Sequence, residues 1–564
     1  MSYSAAQTDA PARPGRFASI LRRPSSDAVW PYLCLAIVLC LHLHLALTRS
    51  ANWDEFFYLH LVHSFVRDEA VPPLQTIHVR LFSWLVSDAV LGVDQIVRGR
   101  LVMFGAELAT CVSIIAIARR FTSDAAAAMC ALAYASVGIV MQHAFAFRAD
   151  PLAIGLSMGA LALIMTGSLK WSRVLACAAL LGLAFMVTIK LVLLAPVFAS
   201  AAYLRWSDSG FSRFAAARIV TIPVMALAVA GLLYLAHTQN LTITSGASQM
   251  VGNSGNAMFF LGWPEKWVYA AAAIASGIFF FAVLIALAVT VPGSSTCSRA
   301  EKIALAGLCC PLALVFCYTN TYPYFYTFML APVAAGLAGS MQLFTKRYGI
   351  PVVALAFTLN GIVMWAIDGE SRLQQQRTIQ MAVADMFDEP VNYFDFPGFL
   401  PEHRKANFFM TNWGFKNYWQ SGVPQMADTM SDEVVPMLAA IGPQNGARFY
   451  GLMVSGEDNG VFHPEDVVAL RETYRQFWGP IFLAGKELEP DEQTTWNVRV
   501  PGSYTVEGHV LVDGTDFDTG DVVELKRGKV MLAETGNASA SLTWGNNIAK
   551  PSLTPPSRPY WTGF

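Results

Sequence analysis

A chain of 564 residues in which 54% of side chains are hydrophobic and only 14% charged is not assembled from ordinary soluble domains alone, where about a quarter of residues are charged. Its formal net charge of −2 supplies no basic field and argues against a nucleic-acid surface. Charges are sparse and clustered from Val29 to Ile367, whereas from Asp368 onward the composition is that of a soluble protein. All nine cysteines (Cys34, Cys40, Cys111, Cys130, Cys177, Cys297, Cys309, Cys310, Cys317) fall in the first part. Apart from the adjacent Cys309-Cys310 they lack paired spacing and suit small apolar positions in membrane helices, so the tail must fold without disulfides.

Arg13, Arg16, Arg22 and Arg23 precede the first apolar run, 29–48, and predict a cytoplasmic segment 1–28. That run exceeds the roughly 7–15 residues of a signal-peptide core and no small-residue cleavage site follows it, so it reads as a retained anchor. Further spans are expected at 101–118, 125–145, 151–168, 219–236, 268–290 and 350–367. The uncharged stretch 303–343 is about twice a span and breaks at Thr319-Asn320-Thr321-Tyr322-Pro323. The stretch 171–204 carries a single charge, Lys190, near its middle. If it is two short helices, Arg119/Arg120, Lys170/Arg173, Arg205/Arg213/Arg218, Arg299/Lys302 and Lys346/Arg347 all face the cytoplasm. As one helix it would flip every later loop and turn three of those clusters outward. The expectation is therefore a polytopic α-helical domain, 29–367, with about eleven spans, the N-terminus inside and the tail outside. Lys190 then lies at the outer surface and escapes the cost of about 2.5–3.5 kcal/mol for a mid-membrane lysine.

The first outside loop, 49–100, reads as two amphipathic helices in the interface plane, or as a packed surface loop. Phe57, Leu61 and Phe65 share one face of the first helix and His60, Ser64 and Arg67 another; Pro72-Pro73 ends it. Ile77, Leu81, Trp84 and Leu85 line the second, with Gln75, His78 and Ser83 off that side. Asp54-Glu55 opens the first helix, where acids favour the dipole. Asp150 precedes Pro151, where it could cap a helix. Yet Asp54, Glu55, Arg148, Asp150, Lys190, Tyr322, Tyr324 and Tyr326 all fall on one side of the membrane, with the polar loop 237–265. Cations there would neutralise phosphate oxygens and a carboxylate would act as general base on a hydroxyl. Glu107 lies mid-span, as a functional acid or as a structural partner of His42 or His44, and is kept apart from this set.

In the tail, a linker helix (370–386) leads into a small α/β region over 368–480. Its expected strands are Asn407-Phe408-Phe409-Met410 and Phe449-Tyr450-Gly451-Leu452-Met453-Val454, and its helix is 464–477. Over 481–564 the runs Trp496–Val500, Tyr504–Val506, His509–Val512, Val522–Leu525 and Lys529–Leu532, separated by Gly/Asp/Pro turns, predict a β-sandwich. This region would recognise an acceptor or cover the site, or serve stability and assembly.

Over roughly 29–367 the chain resembles the GT-C membrane glycosyltransferases, in particular the aminoarabinose transferase and protein O-mannosyltransferase branch. The resemblance rests on Asp54-Glu55, Pro72-Pro73-Leu74, Arg148-Ala149-Asp150-Pro151-Leu152, Thr188-Ile189-Lys190 and Tyr322-Pro323-Tyr324, in that order. It implies a sugar donor on a polyprenyl phosphate and an acceptor hydroxyl on a glycan, lipid or protein. The site would lie at the outer face of a bacterial cytoplasmic membrane, with the tail in the periplasm. It also implies Asp54 as catalytic base, Asp150 as a supporting acid that holds the acceptor or a divalent metal, and Lys190 facing the donor phosphate. Where relatives carry an acidic-basic pair, this chain reads Gln75-Thr76-Ile77-His78-Val79-Arg80, so His78 and Arg80 are the candidate phosphate contacts there. The alternatives are a transporter or flippase of a lipid-linked saccharide, which should show internal repeats and mid-membrane polar residues, and a scaffold displaying the tail. The clustering of polar residues at one face favours chemistry.

Overall fold

In the computed structural model the described residues are 26–562 except 72–76, 88, 240, 242–257, 296, 443–447, 457–459 and 536–537, with only the backbone of Trp413 and Arg448. Arg13 to Arg23, Pro72-Pro73-Leu74, Gln75, Thr76 and most of the polar loop 237–265 lie outside them. The first part is helical: α1 (Val29–Thr48), α2 (Trp53–Val66), α3 (Ile77–Phe82), α4 (Gly92–Ala118), α5 (Asp124–Ala135), α6 (Gly138–His143), α7 (Ala149–Met165) and α8 (Trp171–Val187). It continues through α9 (Ala195–Asp208), α10 (Arg213–Thr238), α11 (Trp267–Ser276), α12 (Ile278–Thr290), α13 (Arg299–Cys309), α14 (Phe325–Gly336), α15 (Ala338–Tyr348) and α16 (Ile350–Ala366). Four stretches, Ser26–Thr48, Gly92–Ala118, Ile189–Asp208 and Arg213–Thr238, are long and apolar enough to cross a membrane. Two bent pairs, α11/α12 (96°) and α14/α15 (65°), raise that to six, and α5, α7, α8 and α16 are shorter apolar helices. The protein is a helical membrane protein; a count of eleven spans requires the short and bent helices to cross as well.

The stretch 171–204 breaks where Lys190 stands. Helix α8 ends at Val187, Thr188 is extended and accepts from the Lys190 N–H (3.3 Å), and a 3₁₀ helix, Ile189–Leu194, leads into α9. The stretch 303–343 is likewise interrupted, between a 3₁₀ helix, Cys310–Phe316, and α14. Helix α4 starts at Gly92, well before the expected 101, because Val93, Gln95, Ile96 and Arg100 are buried under the tail and first loop. Helix α5, rich in alanine, is buried along its whole length and touches α1, α4, α14, α15 and α16, since small residues let backbones approach closely. His42 Nδ1 meets Glu107 at 2.6 Å with both side chains fully buried, while His42 Nε2 bonds the Ala135 carbonyl (2.9 Å). Glu107 thus fastens α1 to α4.

The tail begins with α17 (Leu373–Met386). It then forms β1 (Asn392–Phe394), β2 (Arg404–Lys405), α18 (Asn412–Ser421), α19 (Gln425–Asp432), β3 (Met437–Ala439), α20 (Pro464–Thr473), β4 (Tyr474–Trp478) and β5 (Ile481–Leu488). Its last strands are β6 (Gln493–Val498), β7 (Gly502–Glu507), β8 (Val510–Val512), β9 (Thr515–Phe517), β10 (Val522–Leu525), β11 (Gly528–Ala533) and β12 (Ala540–Trp544). One sheet runs in the order β10-β7-β12-β5-β3-β1-β2 with β4 also on β5; a second runs β6-β11-β8-β9. Strand β5 belongs to both halves of the tail. Its first residues pair with β3 (Ala439 opposite Ile481) and its last with β12 (Ala540 opposite Leu488). The α/β region and the sandwich therefore share a sheet across 480/481.

Three tail expectations change. Residues 407–410 are not a strand; the pairing residues are Arg404 and Lys405. Arg448–Ser455 is helical, with Phe449 and Leu452 buried at a spacing of three rather than two. The helix expected over 464–477 stops at Thr473, and Tyr474–Trp478 becomes β4, whose aromatics pack as an antiparallel partner of β5.

The tail rests on the segment that follows α1 and on the start of α4. The Gln376 side chain of α17 bonds both N–H and C=O of Ala51 (2.9 Å each) and the Tyr560 carbonyl, and Gln380 joins Val93 N–H to the Phe399 carbonyl. Trp561 packs on Trp53, Phe56 and Phe399. Gly398, at φ +80°, brings the tail backbone so close to His60 that a Cβ there would sit 2.9 Å from the His60 Cβ. Phe56, Leu59, Val62, Ile379 and Phe399 form one core. Helix α2 is accordingly covered on both faces, the packed-loop alternative, because the tail supplies the apolar surface an interfacial helix would find in lipid.

Candidate active site

The expected residues converge at the start of α2, the start of α7 and the break after α8. Asn52 caps α2 by accepting from the Asp54 N–H (3.0 Å), and Glu55 returns to the Asn52 N–H (2.8 Å), a complete capping box. Asp54 is thereby left free to point elsewhere, and its carboxylate accepts from Arg148 Nη1. Arg148, extended, stands just before α7, and Asp150 lies within its first turn. Asp150 is not a cap. Its Oδ1 accepts from Lys190 Nζ (2.8 Å), and its Oδ2 lies 3.7 Å from Arg148 Nε. The result is a chain of alternating charge, Asp54–Arg148–Asp150–Lys190. Asp150 and Arg148 are buried; Asp54 and Lys190 keep side-chain exposures of 19% and 15%, so the two ends are the ones open to a ligand.

Aromatic rings wall this chain. The Arg148 guanidinium lies 3.5 Å from the centre of the Tyr324 ring and 5.8 Å from that of Tyr58, and Lys190 Nζ lies 5.2 Å from Tyr324. Tyr322 stacks on Tyr324 at 5.9 Å, and the His78 ring meets Tyr58 edge-on at 5.0 Å. Burial opposes the charge of Arg148, but Asp54 first, then the tyrosines and Asp150, push its pKa above the usual arginine value. Burial raises Tyr58, which stays a neutral phenol.

Three of the expected residues point away. Glu55 is buried and accepts from Arg100 Nε (2.7 Å) and Nη2 (2.6 Å) and from the Phe147 N–H (2.8 Å). Burial disfavours its charge, but Arg100 and the backbone N–H groups outweigh it and hold its carboxyl below the usual range. Glu55 thus ties the segment before Asp54 to the segment before Arg148. Arg80 donates to His237 Nδ1 and O (2.9 Å each) under Phe65, and Tyr326 is buried in the apolar core of α14.

No family model matches the chain, and no curated protein matches it in sequence. Solved structures do match in fold. The oligosaccharyltransferase of Archaeoglobus fulgidus, in complex with Zn and sulfate, aligns over 92% of this chain and 98% of its own, with a TM-score of 0.52 and 10% identity. ArnT from Cupriavidus metallidurans in the apo state aligns over 76% of this chain and 96% of its own, with a TM-score of 0.51 and 13% identity. The chain has the GT-C fold.

An apolar cavity of about 570 Å³ lies among α8, α9 and α10. Leu181, Phe185, Phe198 and Pro223 line it, together with Leu191 and Val192, which directly follow Lys190. Four residues of the site escaped the sequence reading. Tyr58 was signalled by its position one turn after Asp54. Arg100 was signalled by a charge beside an apolar run. Phe409, which packs on Phe57 (4.4 Å) and His60, and Asn412, which donates to the Tyr322 hydroxyl (3.1 Å), carry no sequence signal. Both come from the tail.

Proposed function

We propose that this protein is a membrane glycosyltransferase that moves a sugar from a polyprenyl-phosphate donor to an acceptor hydroxyl. The observation that carries the reading is the ion-paired chain Asp54–Arg148–Asp150–Lys190, open at its ends, with the two residues that follow Lys190 in sequence lining an apolar cavity. A phosphate with a lipid tail has the complementary form. Its oxygens meet Lys190, with Arg148 behind it, and its isoprenoid chain enters the cavity lined by Leu191 and Val192. At the other end Asp54 faces the sugar carbon from the acceptor side. It takes the proton of the acceptor hydroxyl as that oxygen bonds to the anomeric carbon, the bond to the phosphate oxygen breaks with its electron pair on that oxygen, and polyprenyl phosphate leaves, its charge neutralised by Lys190 and Arg148. Attack opposite the leaving group inverts the anomeric centre. Asp150 holds Lys190 and Arg148 in register. The distribution of basic loops supports a site at the outer face of a cytoplasmic membrane, with the tail on that side.

The test is transfer from a radiolabelled polyprenyl-phosphate sugar by the full chain in nanodiscs. General-base catalysis contributes about 10²–10⁴-fold, so Asp54→Asn should lose at least the lower figure with its unfolding temperature unchanged. Wild-type turnover by Asp54→Asn removes the assignment. Saccharide crossing the bilayer without transfer would favour a flippase.

A further inference from the structure

Two carboxylates beside a phosphate site suggest a divalent cation, and the residues present can be tested for it. Such an ion is held by several oxygens at about 2.0–2.6 Å and adds two positive charges. Here each acid already has a base. Arg148 Nη1 donates to Asp54, and Lys190 Nζ donates to Asp150 at 2.8 Å. Arg148 also reaches Asp150, its Nε lying 3.7 Å from Oδ2, so its guanidinium occupies the space between the two carboxylates. The ring of Tyr324 at 3.5 Å and that of Tyr58 at 5.8 Å hold it there. Two acids and two bases cancel, so a further dication would meet no net negative charge and two like charges. Among the described residues no three His, Cys, Asp or Glu side chains gather as metal ligands. The donor set does not fit a divalent ion.

We propose that Arg148 is the resident cation of this site, bridging Asp54 and Asp150 in the place a divalent ion would take, and that transfer needs no metal. The proposal rests on the transferase reading. Arginine suits the role because a planar fork can address two carboxylates at once, whereas a lysine ammonium is a single point of charge.

The test combines metal binding with chemical rescue on the full chain in nanodiscs. After chelation, titration with Mn²⁺ followed by electron paramagnetic resonance should show no bound ion sensitive to Asp54→Asn, and EDTA should leave the transfer rate within about twofold, far from the 10²–10³-fold loss of an essential electrostatic group. Arg148→Ala should lose about 10²–10³-fold, and millimolar guanidinium should restore at least about tenfold, while Mg²⁺ and Mn²⁺ restore nothing. Should that variant fail to fold, Arg148→Lys keeps the charge, and is expected to fold, to lose transfer and to bind no Mn²⁺. One Mn²⁺ per chain that Asp54→Asn removes, transfer abolished by EDTA, or rescue of Arg148→Ala by Mn²⁺ rather than guanidinium would each overturn the proposal. If the wild type transfers from no polyprenyl-phosphate sugar with or without metal, the transferase reading fails, and the Mn²⁺ titration still decides the place of Arg148.

Discussion

Glu55 separates a residue that performs chemistry from one that positions it. Its carboxylate accepts four hydrogen bonds, two from Arg100 and one each from the Asn52 and Phe147 N–H groups, all at 2.6–2.8 Å. Arg100 in turn donates to the carbonyls of Ala46, Arg49 and Ser50. Both side chains are 1% exposed. Arg100→Met keeps the bulk but strands a buried carboxylate, a loss of about 3–5 kcal/mol. Glu55→Gln keeps one acceptor oxygen but leaves the buried Arg100 guanidinium without its counter-charge, a loss of similar size, about 3–5 kcal/mol. The double variant should be less destabilised than Arg100→Met alone, because no charge stays buried. Transfer should fall with stability, since Glu55 adjoins Asp54 and Phe147 adjoins Arg148, and a displacement of about 1 Å costs up to about 10²-fold. The assay pairs thermal unfolding in detergent with steady-state transfer. If Glu55→Gln loses about 10²-fold while its unfolding is unchanged, Glu55 is itself catalytic and this reasoning is wrong.

Lys190→Met should weaken donor binding about 10–150-fold, one charged hydrogen bond, without unfolding the protein; unchanged donor affinity would remove its phosphate role. Phe409→Ala opens a cavity between tail and α2 and should cost about 3 kcal/mol of docking, read as faster hydrogen exchange in α2, with protection unchanged if the tail does not brace it. His403 is buried, and burial first, then Arg67, pulls its pKa down to about 4 from an unfolded value of 6.5. The unfolded chain therefore binds the proton first. The stabilisation is full above pH 6.5 and is lost as pH falls toward 4, about 3 kcal/mol in all. His60 is likewise pulled well below its ordinary value by burial, then by Arg67 and Lys405, and adds a loss in the same direction. His403→Phe should flatten the pH dependence of tail unfolding between those limits; an unaltered slope would assign it to other groups.

The alternation of apolar runs and basic loops was enough to split 171–204 near Lys190 and 303–343 at Thr319–Pro323, where the structure interrupts both helices. The break in 303–343 is signalled locally by its Asn-Thr-Tyr-Pro run, whereas that in 171–204 follows from the sidedness of the basic loops on either side of it. The same sidedness grouped Asp54, Arg148, Asp150 and Lys190, and the structure joins them. Other features depended on residues far apart in the chain. Asp54 and Glu55 are adjacent acids with the same sequence signal, and only the position of Arg100 on α4 turns Glu55 inward while Asp54 meets Arg148. Residues 449–454 and 474–478 are both apolar enough for strand or helix, and the presence of β5 as a pairing edge made a strand of the second alone. The tail's hold on α2 and α4 through Gln376, Gln380, Phe409 and Trp561 has no periodicity to betray it, because hydrogen bonds and ring contacts across 287 or more residues of chain exist only once both parts have folded.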